Sequence, residues 1–147
     1  MTKQINILST KKLLPNQRQL LVDANILVIE ENFIETKSKS FELSKVNDNL
    51  IFSSQNAVKS VLNHPKQEEL KLKNVFCVGL KTKTILEDNG FNVLVDTDYS
   101  SDLAEIISLI YNKESYTFFS GNLRRDILPN TLKENGITFN EIEVYET

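Results

Sequence analysis

An anion can be held where a buried strand turns sharply into a helix. The first backbone N–H groups of the helix have no partner within it, and the helix dipole adds to their pull. Residues 116–126 carry the residue types for such a cradle. Tyr116, Thr117, Phe118 and Phe119 are contiguous aromatic or β-branched residues, which suits a central strand buried on both faces. Ser120, Gly121 and Asn122 are small or turn-forming, and Leu123, Ile127 and Leu128 then share one helical face. Arg124 and Arg125 add positive charge beside the turn. The chemistry expected is capture of an anion at the carboxyl end of a parallel sheet.

The 147 residues are 40% hydrophobic and 25% charged, which fits one domain, or one domain and a piece of another. A net charge of −3 argues against general affinity for nucleic acid, so an anionic ligand must be held by local donors. No apolar run is long enough to cross a membrane, and no charged-then-apolar leader follows Met1, so the cytosol is the expected compartment. One Cys and one His give a zinc site or a Cys–His dyad almost no material. Cys77, inside the apolar run Val75–Val78, reads as a buried inert thiol. His64 precedes Pro65 at a helix end and reads as solvent-facing or as a cap, with no catalytic role.

These candidates need elements to position them. Ile5–Leu8 reads as a strand, Pro15 opens a helix carrying Leu20 and Leu21, and Ile26–Ile29 reads as a second strand. Residues 30–45 alternate polar and apolar and read as an extended linker. From Asn49 onward β and α alternate regularly: strands at Leu50–Phe52, Val75–Val78, Asn92–Val95, Tyr116–Phe119 and Ile137–Tyr145, with four helices between them. Gly90 and Gly136 stand where helices end, Gly79 and Gly121 where they begin. The expectation is an α/β fold with a five-stranded parallel sheet, helices on both faces, in the manner of flavodoxin. In such sheets ligands bind beyond the carboxyl ends of the strands. Here those ends read Ser53-Ser54-Gln55-Asn56, Gly79-Leu80-Lys81-Thr82, residues 96–101, Ser120-Gly121-Asn122 and Tyr145-Glu146-Thr147. Each loop taken singly also reads as a helix cap.

Several of these segments resemble uroporphyrinogen-III synthases. Ile51–Val58 is similar to that family's phenylalanine–threonine–serine, alanine–valine motif, and Val78–Thr82 to its next loop. Ser120–Pro129 resembles its most recognisable block, and Val144–Thr147 its valine–tyrosine–x–threonine. The four motifs run in order from Leu50 to Thr147, with weaker similarity back to Ile5. Ser9-Thr10-Lys11 departs from the threonine–arginine–proline of many relatives.

The resemblance implies an enzyme that closes the linear tetrapyrrole hydroxymethylbilane into uroporphyrinogen III, inverting ring D through a spiro intermediate, with no metal or organic cofactor. It implies two similar α/β domains joined by a two-strand linker, the first domain being discontinuous. Residues 1–29 would then be the N-terminal piece of that first domain, 30–45 the linker and 46–147 the complete second domain. On this reading the chain stops at Thr147, where the family crosses back, so a fragment is expected that binds part of the substrate without catalysing. Eight substrate carboxylates would lie in two cradles, Ser53, Ser54, Gln55 and Asn56 in one and Ser120, Gly121 and Asn122 in the other. Lys81, Thr82 and Arg124 would assist, and Tyr145 is the candidate hydrogen-bond donor to the leaving hydroxyl. The partners implied are hydroxymethylbilane and hydroxymethylbilane synthase, with no nucleic acid and no membrane, and the protein is expected to be a monomer. The alternative is a non-enzymatic flavodoxin-like module that binds a small anion. A receiver domain is disfavoured because Ser53 and Ser54 stand where its acidic cluster would be.

Overall fold

A computed structural model describes residues 3–147; Met1 and Thr2, the start of the expected N-terminal piece, lie outside the described residues. The chain divides into two compact units, one ending at Thr36 and the other running Lys37–Thr147.

The first unit is a βαβ element. Strand β1 (Ile5–Ser9) pairs in parallel with β2 (Ile26–Glu30), and helix α1 (Pro15–Asp23) connects them. Pro15 sits at the first helical position, and Asn25 ends the connection with a φ of 57°. The Arg18 guanidinium binds the Glu30 carboxylate through two hydrogen bonds of 2.8 and 2.9 Å. Those bonds, with one from the Leu13 amide, hold Glu30 down at about 2. No residue of this unit among those described is buried. Two strands and one helix leave Ile5, Leu8, Leu20 and Ile29 facing outward.

The second unit holds the core. Its parallel strands are β4 (Asn49–Phe52), β5 (Asn74–Val78), β6 (Asn92–Thr97), β7 (Ser115–Gly121) and β8 (Thr138–Glu146). A short strand β3 (Lys37–Ser38) pairs antiparallel with β8 and completes the order β3-β8-β7-β4-β5-β6. The five parallel strands are those expected; the sixth comes from the stretch read as linker. Lys37–Ser38 adds to the sheet edge, and Phe41 and Leu43 pack on the core, so the alternation there reflects one apolar face finding that core. Phe41 also lies 4.9 Å, ring to ring, from His64.

Helices α2 (Gln55–Leu62), α3 (Gln67–Leu70), α4 (Leu80–Asp88), α5 (Ser100–Ile110) and α6 (Ile127–Glu134) cover the sheet. Leu50, Phe52, Val75, Cys77 and Phe119 pack with α2 and α4 residues in one cluster. Ile51, Phe76, Tyr116 and Phe118 pack with α5 and α6 residues in another. Neighbours along a strand fall into opposite clusters, as the two-residue period of a strand demands. Burial pushes the Cys77 thiol up to about 12, with Asp96 adding to the shift, which is the inert thiol expected. The chain winds outward through β4, β5 and β6, then returns to place β7 on the other side of β4. That reversal between β4 and β7 is where α/β sheets open a crevice for ligands.

The two strands at the reversal are locked by aromatic packing. Phe52 and Phe119 are register partners, stacked at 5.1 Å with their ring planes 20° apart, and both are fully buried. Phe52→Ala should cost about 3–5 kcal/mol of stability in urea unfolding, and a loss below about 1 kcal/mol would show that the stack contributes little.

Candidate functional site

The crevice at the reversal is a cavity of about 440 Å³. Ser53 and Ser54 line it after β4, Gly121, Leu123, Arg124 and Arg125 at the end of β7 and beyond, and Tyr145 near the end of β8. Asp98, Tyr99, Ser100 and Ser101 close the side next to β6, and Val78, Phe118, Ile127 and Leu128 supply apolar wall. Five residues expected at the site, Ser53, Ser54, Gly121, Arg124 and Tyr145, are thus brought together.

Helix starts border this cavity and bring partial positive charge to it. Ser54 caps α2, its hydroxyl accepting from the Ala57 amide at 3.1 Å. The amides of Gln55 and Asn56 precede Ala57 in that first turn and have no intrahelical acceptor. Gln55 and Asn56, both expected at the site, do not line the cavity; of the β4 loop only Ser53 and Ser54 do. The first turn of α5, at Ser100 and Ser101, lies on the same cavity, and the wall residues Ile127 and Leu128 open α6. Three helix amino ends therefore face one space, each carrying partial positive charge.

Tyr145 is fixed by Gly121. The two are register partners on β8 and β7, and a Cβ built on Gly121 would fall under 3.0 Å from three carbons of the Tyr145 ring. The backbone of Gly121 is not in the left-handed region, so glycine is needed for close approach and not for the turn.

The expected cradle at Ser120–Asn122 is not formed as a helix start. Strand β7 continues through Gly121, and α6 begins only at Ile127. Continued pairing with β8 outweighs the local turn propensity. Ser120 is buried and donates to Glu141 Oε1 at 2.7 Å. The Asn122 amide donates to the Tyr145 carbonyl at 3.2 Å, and its side chain accepts from the Thr147 amide at 2.9 Å. Asn122 instead lines a second hollow, with Gly121, Arg124, Glu141 and Glu143.

Lys81 and Thr82 do not line the cavity either. Gly79, at a φ of 95°, turns the chain so that Lys81 is exposed and Thr82 is buried at the start of α4. Strand β5 lies one place from the reversal, and Val78 is the residue from this loop that reaches it.

The structure adds Glu141, which the pattern of β8 alone does not single out. Arg124 Nε and Nη2 bind its two carboxylate oxygens, and Nη1 binds Asp126 at 2.6 Å. Burial would raise the Glu141 carboxyl, but the bonds from Arg124 and Ser120 outweigh it and hold the group below its ordinary 4.5. Among the described residues no group of His, Cys, Asp and Glu could hold a metal ion.

A family model described as "Uroporphyrinogen-III synthase HemD" matches residues 18–147. The chain belongs to the uroporphyrinogen-III synthase family. Its fold is similar to that of uroporphyrinogen-III synthetase from Helicobacter pylori, with a TM-score of 0.68 and 24% identity over 99% of this chain. It is also similar to a mutant uroporphyrinogen III synthase from the extremely thermophilic bacterium Thermus thermophilus, with a TM-score of 0.63 and 13% identity over 97% of this chain. The chain spans 62% of the length of either protein. No curated protein matches the sequence.

Two outcomes test this geometry. Gly121→Ala should lower stability by about 1–3 kcal/mol, and most of that loss should vanish in a Tyr145→Ala background. Equal losses in both backgrounds would show that the ring is not the obstacle. Glu141, held below 4.5 in the folded chain, stabilises fully above its unfolded value and loses this contribution as pH falls through the folded one. The stability gap between the wild type and Glu141→Gln should therefore shrink from about pH 6 to about pH 3 in chemical unfolding, and a constant gap would refute the coupling.

Proposed function

We propose that this chain forms one wall of a uroporphyrinogen-III synthase active site and holds hydroxymethylbilane for closure to uroporphyrinogen III. The observation that carries the reading is the convergence of Ser53, Ser54, Gly121, Arg124 and Tyr145 on one cavity in a chain of this family. The acetate and propionate arms of the substrate would meet the first-turn amides of α2 and α5 and the guanidinium groups. Val78, Phe118, Leu123 and Ile127 offer apolar surface to pyrrole rings.

The reaction loses one water. The terminal hydroxyl leaves with a proton, producing an azafulvene. Ring D attacks it through its substituted α-carbon, and the spiro intermediate fragments and recloses with that ring inverted. No electrons are gained or lost, so no step calls for a redox group. The outcome depends on which carbon of ring D is nearest, so placement is the main contribution of the protein. Tyr145, half-buried on the cavity wall, is the proposed donor to the departing hydroxyl.

The first unit is proposed as the N-terminal piece of the discontinuous first domain, which its uncovered apolar residues support. Hydroxymethylbilane synthase, as supplier of the unstable substrate, is the proposed neighbour, and a monomer in the cytoplasm is the proposed working form. No helix among the described residues is long and apolar enough to cross a membrane.

The test is a coupled assay in which porphobilinogen and hydroxymethylbilane synthase supply substrate and the oxidised products are separated as isomers I and III. It is run on the 147 residues by themselves and within a chain of the relatives' length. Excess isomer III from the longer chain is expected, and isomer I alone from both would overturn the reading. Tyr145→Phe in the active form should lower kcat by roughly 10- to 100-fold with KM little changed. Unchanged kcat would remove Tyr145 from the chemistry.

A further inference from the structure

A guanidinium that binds a substrate carboxylate well must be oriented yet have donors to spare. Arg124 meets both conditions in an asymmetric way. Its Nε and Nη2 edge is taken by Glu141 and its Nη1 by Asp126. Three of its five N–H groups are thus engaged, leaving one on each Nη nitrogen.

The two carboxylates differ in how firmly they are held. The Glu141 side chain is 26% exposed, accepts from the buried Ser120 hydroxyl at 2.7 Å, and grows from the long strand β8. The Asp126 side chain is 76% exposed, stands only two residues from Arg124, and makes no side-chain cap to α6. A bond to such an exposed partner is weak and readily exchanged. Arg124 also lines both the main cavity and the hollow that contains Glu141.

We propose that Glu141, oriented by Ser120, is a positioning residue that fixes Arg124, and that Asp126, which binds Nη1 from outside the cavity lining, competes with a substrate carboxylate for that guanidinium. The identity of that substrate rests on the synthase reading; the exchange of one carboxylate for another does not. Asp126 shields the guanidinium and yields when a better-placed carboxylate arrives. Glu141 stays, because displacing it would break two bonds to Arg124 and leave the Ser120 hydroxyl without its acceptor.

The two carboxylates therefore have opposite effects on affinity, which neither simple charge repulsion nor a purely structural role would give. Repulsion makes removal of either charge tighten the binding of an anion. A structural role makes both removals alter stability and leave affinity alone. The experiment measures binding of uroporphyrin III, a fluorescent octacarboxylate, to the full chain by fluorescence titration. Asp126→Asn, which removes the charge and keeps the side chain's size, should tighten binding about two- to fivefold, and Glu141→Gln should weaken it by about fivefold. In an Arg124→Lys background both effects should disappear. Effects of the same sign, no effect on affinity, or no binding by the wild type would overturn the proposal. Opposite signs with only isomer I in the coupled assay would keep the carboxylate exchange and discard the synthase. Isomer III with same-sign effects would do the reverse.

Discussion

The ring of Tyr145 occupies the space that any side chain at position 121 would need, and the wall of the cavity follows from that contact. Strand β7 must deliver a residue without a Cβ at its last position, and β8 must run far enough to lay the ring across it. The register supplies this only after a shift between Ser120 and Gly121, which brings Gly121 opposite Tyr145. A side chain at 121 would displace the ring from its place on the cavity wall. The shape of the cavity, the orientation of the aromatic ring and the termination of β7 are thus one constraint. Asn122 secures it from the other side by binding the main chain of Tyr145 and Thr147.

Much of this architecture is legible in the residues. The run Tyr116–Phe119 reads as a strand buried on both faces because every member is bulky and apolar or β-branched, and each is buried. The regular alternation from Asn49 onward specifies the parallel sheet, and Pro15 and Gly136 mark a helix start and a helix end. The misjudged part, the chain beyond Ser120, has one cause: long-range pairing. Gly121 reads locally as a turn residue, yet β8 lies beside it and extends the strand. Residues 37–45 read as extended, half-exposed chain, and the alternation is met by Lys37–Ser38 on the edge of β8 and by Phe41 and Leu43 packing on the core. Glu141 lies in a strand of alternating character, and nothing nearby in sequence announces that an arginine 17 residues earlier will bind it.

Charge in this protein is arranged locally. A net charge of −3 repels a polycarboxylate at long range, but within a Debye length of about 8 Å the cavity presents different groups. Three helix amino ends and two arginines line it against a single carboxylate, that of Asp98. Backbone dipoles cannot be titrated or displaced by salt in the way a lysine can, and they need no side-chain ordering when an anion arrives. Lys81, which the order of motifs places at the same edge, stays in solvent while the Ser53–Asn56 turn presents amides already fixed by the helix.

In the proposed cyclisation the chemical step itself is undemanding, and what must be controlled is which end of ring D meets the azafulvene. Such control needs surfaces that do not give way by a fraction of an ångström. The groups here are graded accordingly. Gly121 and Phe118 belong to a buried central strand, and Tyr145 is pinned against the first of them. The amides of α2 are set by a capped helix whose Ala57, Val58 and Val61 are fully buried. Arg124 reaches the cavity from the loop between β7 and α6, and it carries its own restraint in Glu141. A flexible cation tied to a rigid strand can accept a carboxylate without adding freedom to the site, so an adjustable element takes its position from the least adjustable part of the sheet.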